Sequence, residues 1–319
     1  MKRFLFIFLV CITSSWSQVS GCTDPLSKNY NPKATVNDGS CRYKNIKIKP
    51  DYSVKLSDSL IENSSLLYFD SLLWTANDDA DATLYGMNTY GRIEKKINIK
   101  GLKNKEWEEI SQDHDYIYIG DFGNNSVGNR KDLRILRVAK KGIDTPNVQI
   151  DTIAFGYADQ IDFKIQKPNT TNFDCEAFIV LEETIYLFTK RYSDLKTTLY
   201  TIPKIPGNYS AKPLKTQNVK GLITGATYNK ENCTVVLTGY SKLLQPFVYL
   251  LSDFKKADFF SGNKRKIKLK LPFHQVEGIA TPNGLDYYIT NEKTVRKPIF
   301  NTAQQLHHLD LRFLLLKKQ

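Results

Sequence analysis

Histidine is scarce in this chain of 319 residues, and the four that occur (His114, His274, His307 and His308) are scattered. His307 and His308 sit side by side in an alternating run, where neighbouring side chains face opposite ways. The polar clusters described below contain no paired histidine or cysteine, which disfavours zinc, and the histidines are read as structural. No nucleophile–base pair and no diagnostic hydrolase motif is visible. Asp121-Phe122-Gly123 stands without the glycine-rich and catalytic-loop motifs that give this triplet meaning in kinases. No nucleic-acid-binding motif accompanies the formal net charge of +12, so no nucleic-acid partner is expected. No segment has a long helical period. Beyond residue 12 no run is apolar enough to cross a bilayer.

The chain does carry a basic start (Lys2, Arg3), a short apolar run at residues 4–12 and small polar residues after it. This pattern predicts a signal peptide over 1–18 and places the protein in a secreted, periplasmic or extracellular-surface setting. Val10 before Cys11 is too large for the usual lipid-attachment site. With Cys11 removed, Cys22, Cys41, Cys175 and Cys233 remain. An even count in an exported chain favours disulfides. Cys22 and Cys41 share one turn-rich segment within a small module at 19–44 and form the expected pair; Cys175 and Cys233 are either a second bridge or two free thiols. The lysine-rich run 262–270 alternates like an edge strand with its lysines in water, a pattern that discourages edge pairing.

Residues 45–319 read as all-β. Alternation appears in YIYIG, DLRILRV, TIYLF, TTLYTI, TVVLTG, YYIT and LHHLDL, with Gly, Asn, Asp and Pro between them. Five polar clusters recur, each before a β-rich run: Glu62-Asn63-Ser64, Trp107-Glu108-Glu109, Asp174-Cys175-Glu176, Thr224-Gly225 and Val276-Glu277-Gly278. Equivalent cluster residues are 44, 68, 49 and 52 residues apart (Ser64, Glu108, Glu176, Gly225, Glu277), near the length of a four-stranded propeller blade. The expectation is a five-bladed β-propeller after the signal peptide and the module, with an extra loop near 156–172. The last unit supplies three strands (QVEGIA, DYYITN, LHHLDLRFLL), and residues 45–56 would supply its fourth and close the ring.

In such an architecture the first strand of each unit lines the axis, which brings Ser64, Glu108, Glu176, Thr224 and Glu277 to one mouth. Asp78, Asp121, Asn124, Lys190, Arg191, Tyr240, Asn291 and Glu292 are expected on the same face. Clustered carboxylates need protons or a counter-ion, and hard oxygen donors suit calcium.

Two resemblances add to this. Residues 21–43 resemble a two-cysteine module of bacterial secreted and surface proteins (C-T-D-P…N-Y-N-P-x-A-T…D-G-S-C). The resemblance implies either calcium held by Asp24, Asn37 and Asp38 or a metal-free stapled spacer. Residues 46–319 resemble secreted bacterial propellers of unassigned activity, and the order Ser, Glu, Glu, Ser/Thr, Glu on successive first strands is similar to that of the calcium-activated nucleotidases (apyrases). That likeness implies a central calcium on Ser64, Glu108, Glu176, Thr224 and Glu277, with Glu109 the alternative to Glu108. Two functions follow as expectations. One is an extracellular binding or scaffold protein, a monomer that recognises an anionic small molecule, a glycan or a surface protein. The other is a calcium-dependent hydrolase of phosphate esters or nucleotides. In the second, Lys190 and Arg191 would hold the anionic group and Glu109, Asp121 or Glu292 would act as base. Sequence alone leaves catalysis open.

Overall fold

Runs bounded by turn formers become strands throughout. The computed structural model describes residues 18–79 and 81–315. The expected leader, except Gln18, and Cys11 lie outside the described residues. In the N-terminal module β1 (Ser20–Gly21) pairs in parallel with β2 (Val36–Asn37), and Cys22 and Cys41 form the expected disulfide. Cys175 and Cys233 are both free thiols, one buried and one exposed. The module's candidate ligands serve local turns: Asp24 accepts from Leu26 N and Tyr43 OH, Asn37 from Gly39 N, and Asp38 from Ser40 N. Asn37 Nδ2 donates to Asp253 and Asn263, which docks the module on the body.

β3 (Ile46–Ile48) and β4 (Tyr52–Lys55) follow. Next come antiparallel meanders: β5 (Leu67–Phe69), β6 (Leu72–Thr75), β7 (Thr83–Met87) and β8 (Ile93–Asn98), then β9 (Trp107–Gln112), β10 (Tyr116–Asp121), β11 (Arg134–Ala139) and β12 (Ile150–Tyr157). The third is β13 (Cys175–Leu181), β14 (Thr184–Thr189), β15 (Lys196–Pro203) and β16 (Gly207–Asn218). The fourth is β17 (Leu222–Asn229), β18 (Thr234–Tyr240), β19 (Pro246–Ser252) and β20 (Asn263–Leu269). The last contains β21 (Val276–Ala280), β22 (Asp286–Asn291), the small hairpin β23 (Thr294–Arg296) and β24 (Phe300–Thr302), and β25 (Gln305–Asp310). Parallel pairing of β12 with β16 joins the second and third meanders into one eight-stranded sheet, nearly closed because its end strands β9 and β13 lie against each other. The result is an all-β, β-propeller-like arrangement. No helix among the described residues is long and apolar enough to cross a membrane.

The core lies between sheets rather than at one centre. Trp74 and Leu84 pack on Ile117 and Leu136, and Phe122 and Ile153 on Phe178 and Leu187. Phe188 and Leu199 pack on Leu237 and Leu251, and Val236 and Ile267 on Ile279 and Ile289. The last cluster joins Leu73 and Met87 to Ala280 and Leu306, bringing the two ends of the domain together. Strands buried on both faces carry little alternation, which explains runs such as TVVLTGY in β18. The first strands touch in the order β5, β9, β13, β17, β21, and β21 touches β5.

Three expectations need correction. Residues 45–56 form two strands, not one. Pro50, which has no N–H to give a ladder, separates β3, paired in parallel with β20, from β4, paired antiparallel with β25. β4 therefore does supply the fourth strand of the last sheet. The lysine-rich run is not a free edge, because β3 covers β20. Lys266 is folded inward, its Nζ donating to Val219 O and Lys220 O and lying 3.6 Å from the centre of the Phe247 ring. Finally, the last strand stops at Asp310, and Arg312–Leu315 is one helical turn, α1.

The closing strands hold a buried imidazole. Asn291 Nδ2 is spent on Glu292 O and Ala303 O, so its Oδ1 accepts from His307 Nε2 at 2.8 Å, and His307 Nδ1 accepts from Ser53 Oγ at 2.7 Å. These contacts fix the neutral tautomer. Burial, and secondarily His274 at 5.5 Å between rings, push the imidazole down to about 3. A histidine depressed on folding contributes stability above its unfolded pKa, near 6.5, and loses it as pH falls toward the folded value. We expect the stability difference between wild type and His307→Gln, from urea midpoints, to shrink steadily from pH 7 to pH 4. A pH-independent difference would exclude this role.

Candidate functional site

Each first strand or its entry carries one surplus residue, and in three sheets it is the expected site residue itself. Glu108 is unpaired between the pairs Glu109–Gly120 and Trp107–Asp121. Glu176 is skipped between Cys175–Thr189 and Ala177–Phe188, and Thr224 between Ile223–Gly239 and Gly225–Thr238. Glu277 and Gly278 oppose Thr290 alone, and Ser64, Ser65 and Leu66 oppose only Thr75 and Ala76. A bulge re-aims a side chain out of the pleat. It also decides between the two adjacent glutamates: Glu108 faces a cavity, while Glu109 is buried elsewhere.

A second set of residues stands where the second strand leaves its sheet in four of the five units. The backbone N–H of Asp78 donates to Glu62 O, that of Gly123 to Glu106 O, that of Lys190 to Asp174 O and that of Glu292 to Gln275 O, at 2.7–3.3 Å. Each acceptor lies two residues before a site residue, so the two sets stack on each other. A Cβ on Gly123 would fall 2.0 Å from Glu108 Oε1, so any larger residue here would displace the Glu108 carboxylate.

Together they line a cavity of about 280 Å³. Ser64, Asp78, Glu108, Glu176, Lys190, Tyr240, Glu277 and Glu292 face it; Thr224 lies outside its wall. The two hydroxyls act alike: Ser64 Oγ donates to Trp107 O and Thr224 Oγ1 to Val276 O, each the carbonyl just before the next sheet's glutamate. Lys190 Nζ lies 2.9 Å from Glu176 Oε2 and is flanked by the Tyr192 and Tyr240 rings at 5.7 and 5.5 Å.

The remaining expected residues do other work. Glu109 accepts from Ile110 N and from Ala226 N, tying β9 across to β17. Asp121 is clamped by Arg130 and Arg134. Arg191 is paired with Asp194. Asn124 is held by Asp174 and Phe173, and Asn291 by the His307 network. Sequence reasoning overlooked Asn63, Glu62, Asp174 and Tyr192. Glu62 and Asp174 were legible, since each precedes a site residue by two and so shares its phase.

No protein-family model matches the chain, and no curated protein matches it. Among solved structures, a glucose dehydrogenase is similar with 9% identity and a TM-score of 0.45, over 81% of this chain and 99% of that one. A chain of the Kuenenia stuttgartiensis hydrazine synthase matches at 10% identity and TM-score 0.37, over 80% of this chain and 68% of that one. A chain of a mitotic checkpoint complex matches at 10% and 0.39, over 82% and 94%. At these values the likenesses carry no inference about activity.

The cavity's electrostatics are one-sided. Burial raises the carboxyls of Glu108, Glu277 and Asp174, and neighbouring carboxylates raise them further. Burial and then Glu62 push Asp78 up to about 7 and Glu292 up to about 8. Burial works against the Lys190 charge, but Glu176, helped by Tyr192, Tyr240 and Glu277, holds its pKa above the ordinary lysine range. Lys242 and Arg296 at the mouth are exposed, so Lys190 is the buried cation of the lining. Two buried oxygens of the lining, Asp78 Oδ1 and Asn63 Oδ1, meet no donor, while Glu176 Oε1 and Asp174 Oδ2 belong to carboxyls that share a hydrogen bond when one is protonated. Removing one partner of a buried pair strands the other charge, so Lys190→Met should cost about 3–5 kcal/mol, read from denaturant midpoints. A loss below about 1 kcal/mol, the scale of an exposed pair, would show that the ammonium is not the carboxylates' internal counter-ion.

Proposed function

We propose that this chain is an exported five-bladed β-propeller that binds a divalent cation, calcium, in its axial cavity and acts as an extracellular binding or scaffold protein. The observation that carries the reading is the set of buried acceptor oxygens without donors, gathered where carboxylates outnumber the buried cation. Leaving a buried acceptor unmet costs about 1–3 kcal/mol, and a hard cation meets several at once. The donors are all oxygen, which fits calcium and not zinc. Glu108, Glu176 and Glu277 are the carboxylates of the axial set. Ser64, which faces the cavity, uses its hydrogen on Trp107 O, which leaves its oxygen lone pairs free. A calcium ion bound in the cavity would offset its surplus of carboxylates and offer a coordination position to an anionic group or a glycan hydroxyl. The five four-stranded units and the five intersheet apolar clusters support the blade count, and the Cys22–Cys41 disulfide supports export.

The hydrolase alternative has less behind it. Arg191 is spent on Asp194, Asp121 on two arginines and Glu109 on backbone amides. Of the groups expected to carry chemistry, Lys190 and Glu292 alone face the cavity.

Chelator-treated protein should melt at a higher temperature when calcium is restored. At a calcium concentration of about 100 times Kd the stabilisation is about 2.7 kcal/mol, or about 5 °C for a domain of this size. Melting that ignores both calcium and chelator would remove the cation reading. Phosphate release from nucleotides or phosphomonoesters that is lost in chelator would favour the hydrolase.

A further inference from the structure

We infer that the exchangeable cation sits at the cavity's rim, on the carboxylates of Glu62, Asp78 and Glu292, while the Lys190 ammonium fills the deeper position among Glu176 and the axial glutamates. The inference rests on the reading of this cavity as a cation site and says which oxygens hold the ion.

One carboxylate oxygen from each of Glu62, Asp78 and Glu292 lies within 4.8 Å of the others. That is the spacing of oxygens sharing one calcium ion at about 2.3–2.6 Å. None of the three forms an ion pair with a lysine, arginine or histidine among the described residues, whereas Glu176 already has Lys190 at 2.9 Å. A second cation beside that ammonium would meet direct repulsion. Independent evidence for a ligand comes from Asn63. It is fully buried, and both hydrogens of its amide are used, on Leu60 O and Asn291 O, so it cannot flip. Its Oδ1 is therefore a fixed buried acceptor with no donor, on a residue that lines the same cavity.

The position has a consequence for the fold. Glu62 and Asp78 belong to the first sheet and Glu292 to the last. The two segments are already bonded, Lys293 N to Ile61 O at 2.9 Å and Asn63 Nδ2 to Asn291 O at 3.0 Å. A cation here would cross-link the seam at which the ends of the domain meet, and calcium would tighten ring closure.

The test uses the full chain, stripped with chelator and titrated with calcium chloride by calorimetry, beside hydrogen exchange with and without calcium. One ion per chain is expected. Glu62→Gln and Glu292→Gln should each weaken binding tenfold or more, while the exposed Glu231→Gln does not. In wild type, calcium should slow exchange at residues 61–63 and 291–293 beyond the average of the other strands, a readout that needs no variant to fold. Full-affinity binding in both rim variants with loss in Glu277→Gln would overturn the rim placement and leave the cavity reading intact. Calcium protection confined to the axial strands would do the same. No heat of binding and no change in exchange in wild type would overturn both.

Discussion

One surplus residue in each first strand is the constraint from which the rest of the site follows. A strand buried on both faces offers its side chains only to neighbouring sheets. The bulge breaks that alternation and turns Glu108, Glu176 or Thr224 out of the intersheet core, with Ser64 and Glu277 beside the equivalent irregularity in the first and last sheets. The intersheet clusters can then remain wholly apolar while polar groups accumulate along the axis. Without the bulges, Glu108 would share the buried fate of Glu109, a carboxyl committed to the Ala226 and Ile110 amides.

Gathering these side chains desolvates them, and the cavity answers with few positive groups. Lys190 is held by one carboxylate and two tyrosine rings, and burial shifts the surplus acids toward protonation. Sites that keep groups in such costly surroundings are commonly functional. The cost is tolerated because the surrounding sheets are tightly packed and the exit residues are tied by backbone hydrogen bonds rather than by flexible side chains.

Closure is achieved by exchange between the ends of the domain. β4 completes the last sheet, β3 covers the lysine-rich β20, and His307 seals the junction as a neutral ring between Ser53 and Asn291. The rim acids lie beside the same junction, so ring closure and the charge state of the cavity are physically adjacent.

The sequence by itself determined the strand content, the Cys22–Cys41 staple, the recurrence of the polar clusters at blade-like intervals and the return of an N-terminal strand to the last sheet. Each of these depends on local pattern: alternation, turn residues, cysteine placement. Tertiary structure alone decided that Glu108 and not Glu109 faces the cavity, that Arg191 turns to Asp194 while Lys190 stays with Glu176, and that Asn63 presents a bare oxygen. The physical reason is the period of two in a strand. A one-residue bulge reverses which side chain looks inward, and the pairing register that creates it is set by residues far away in the chain.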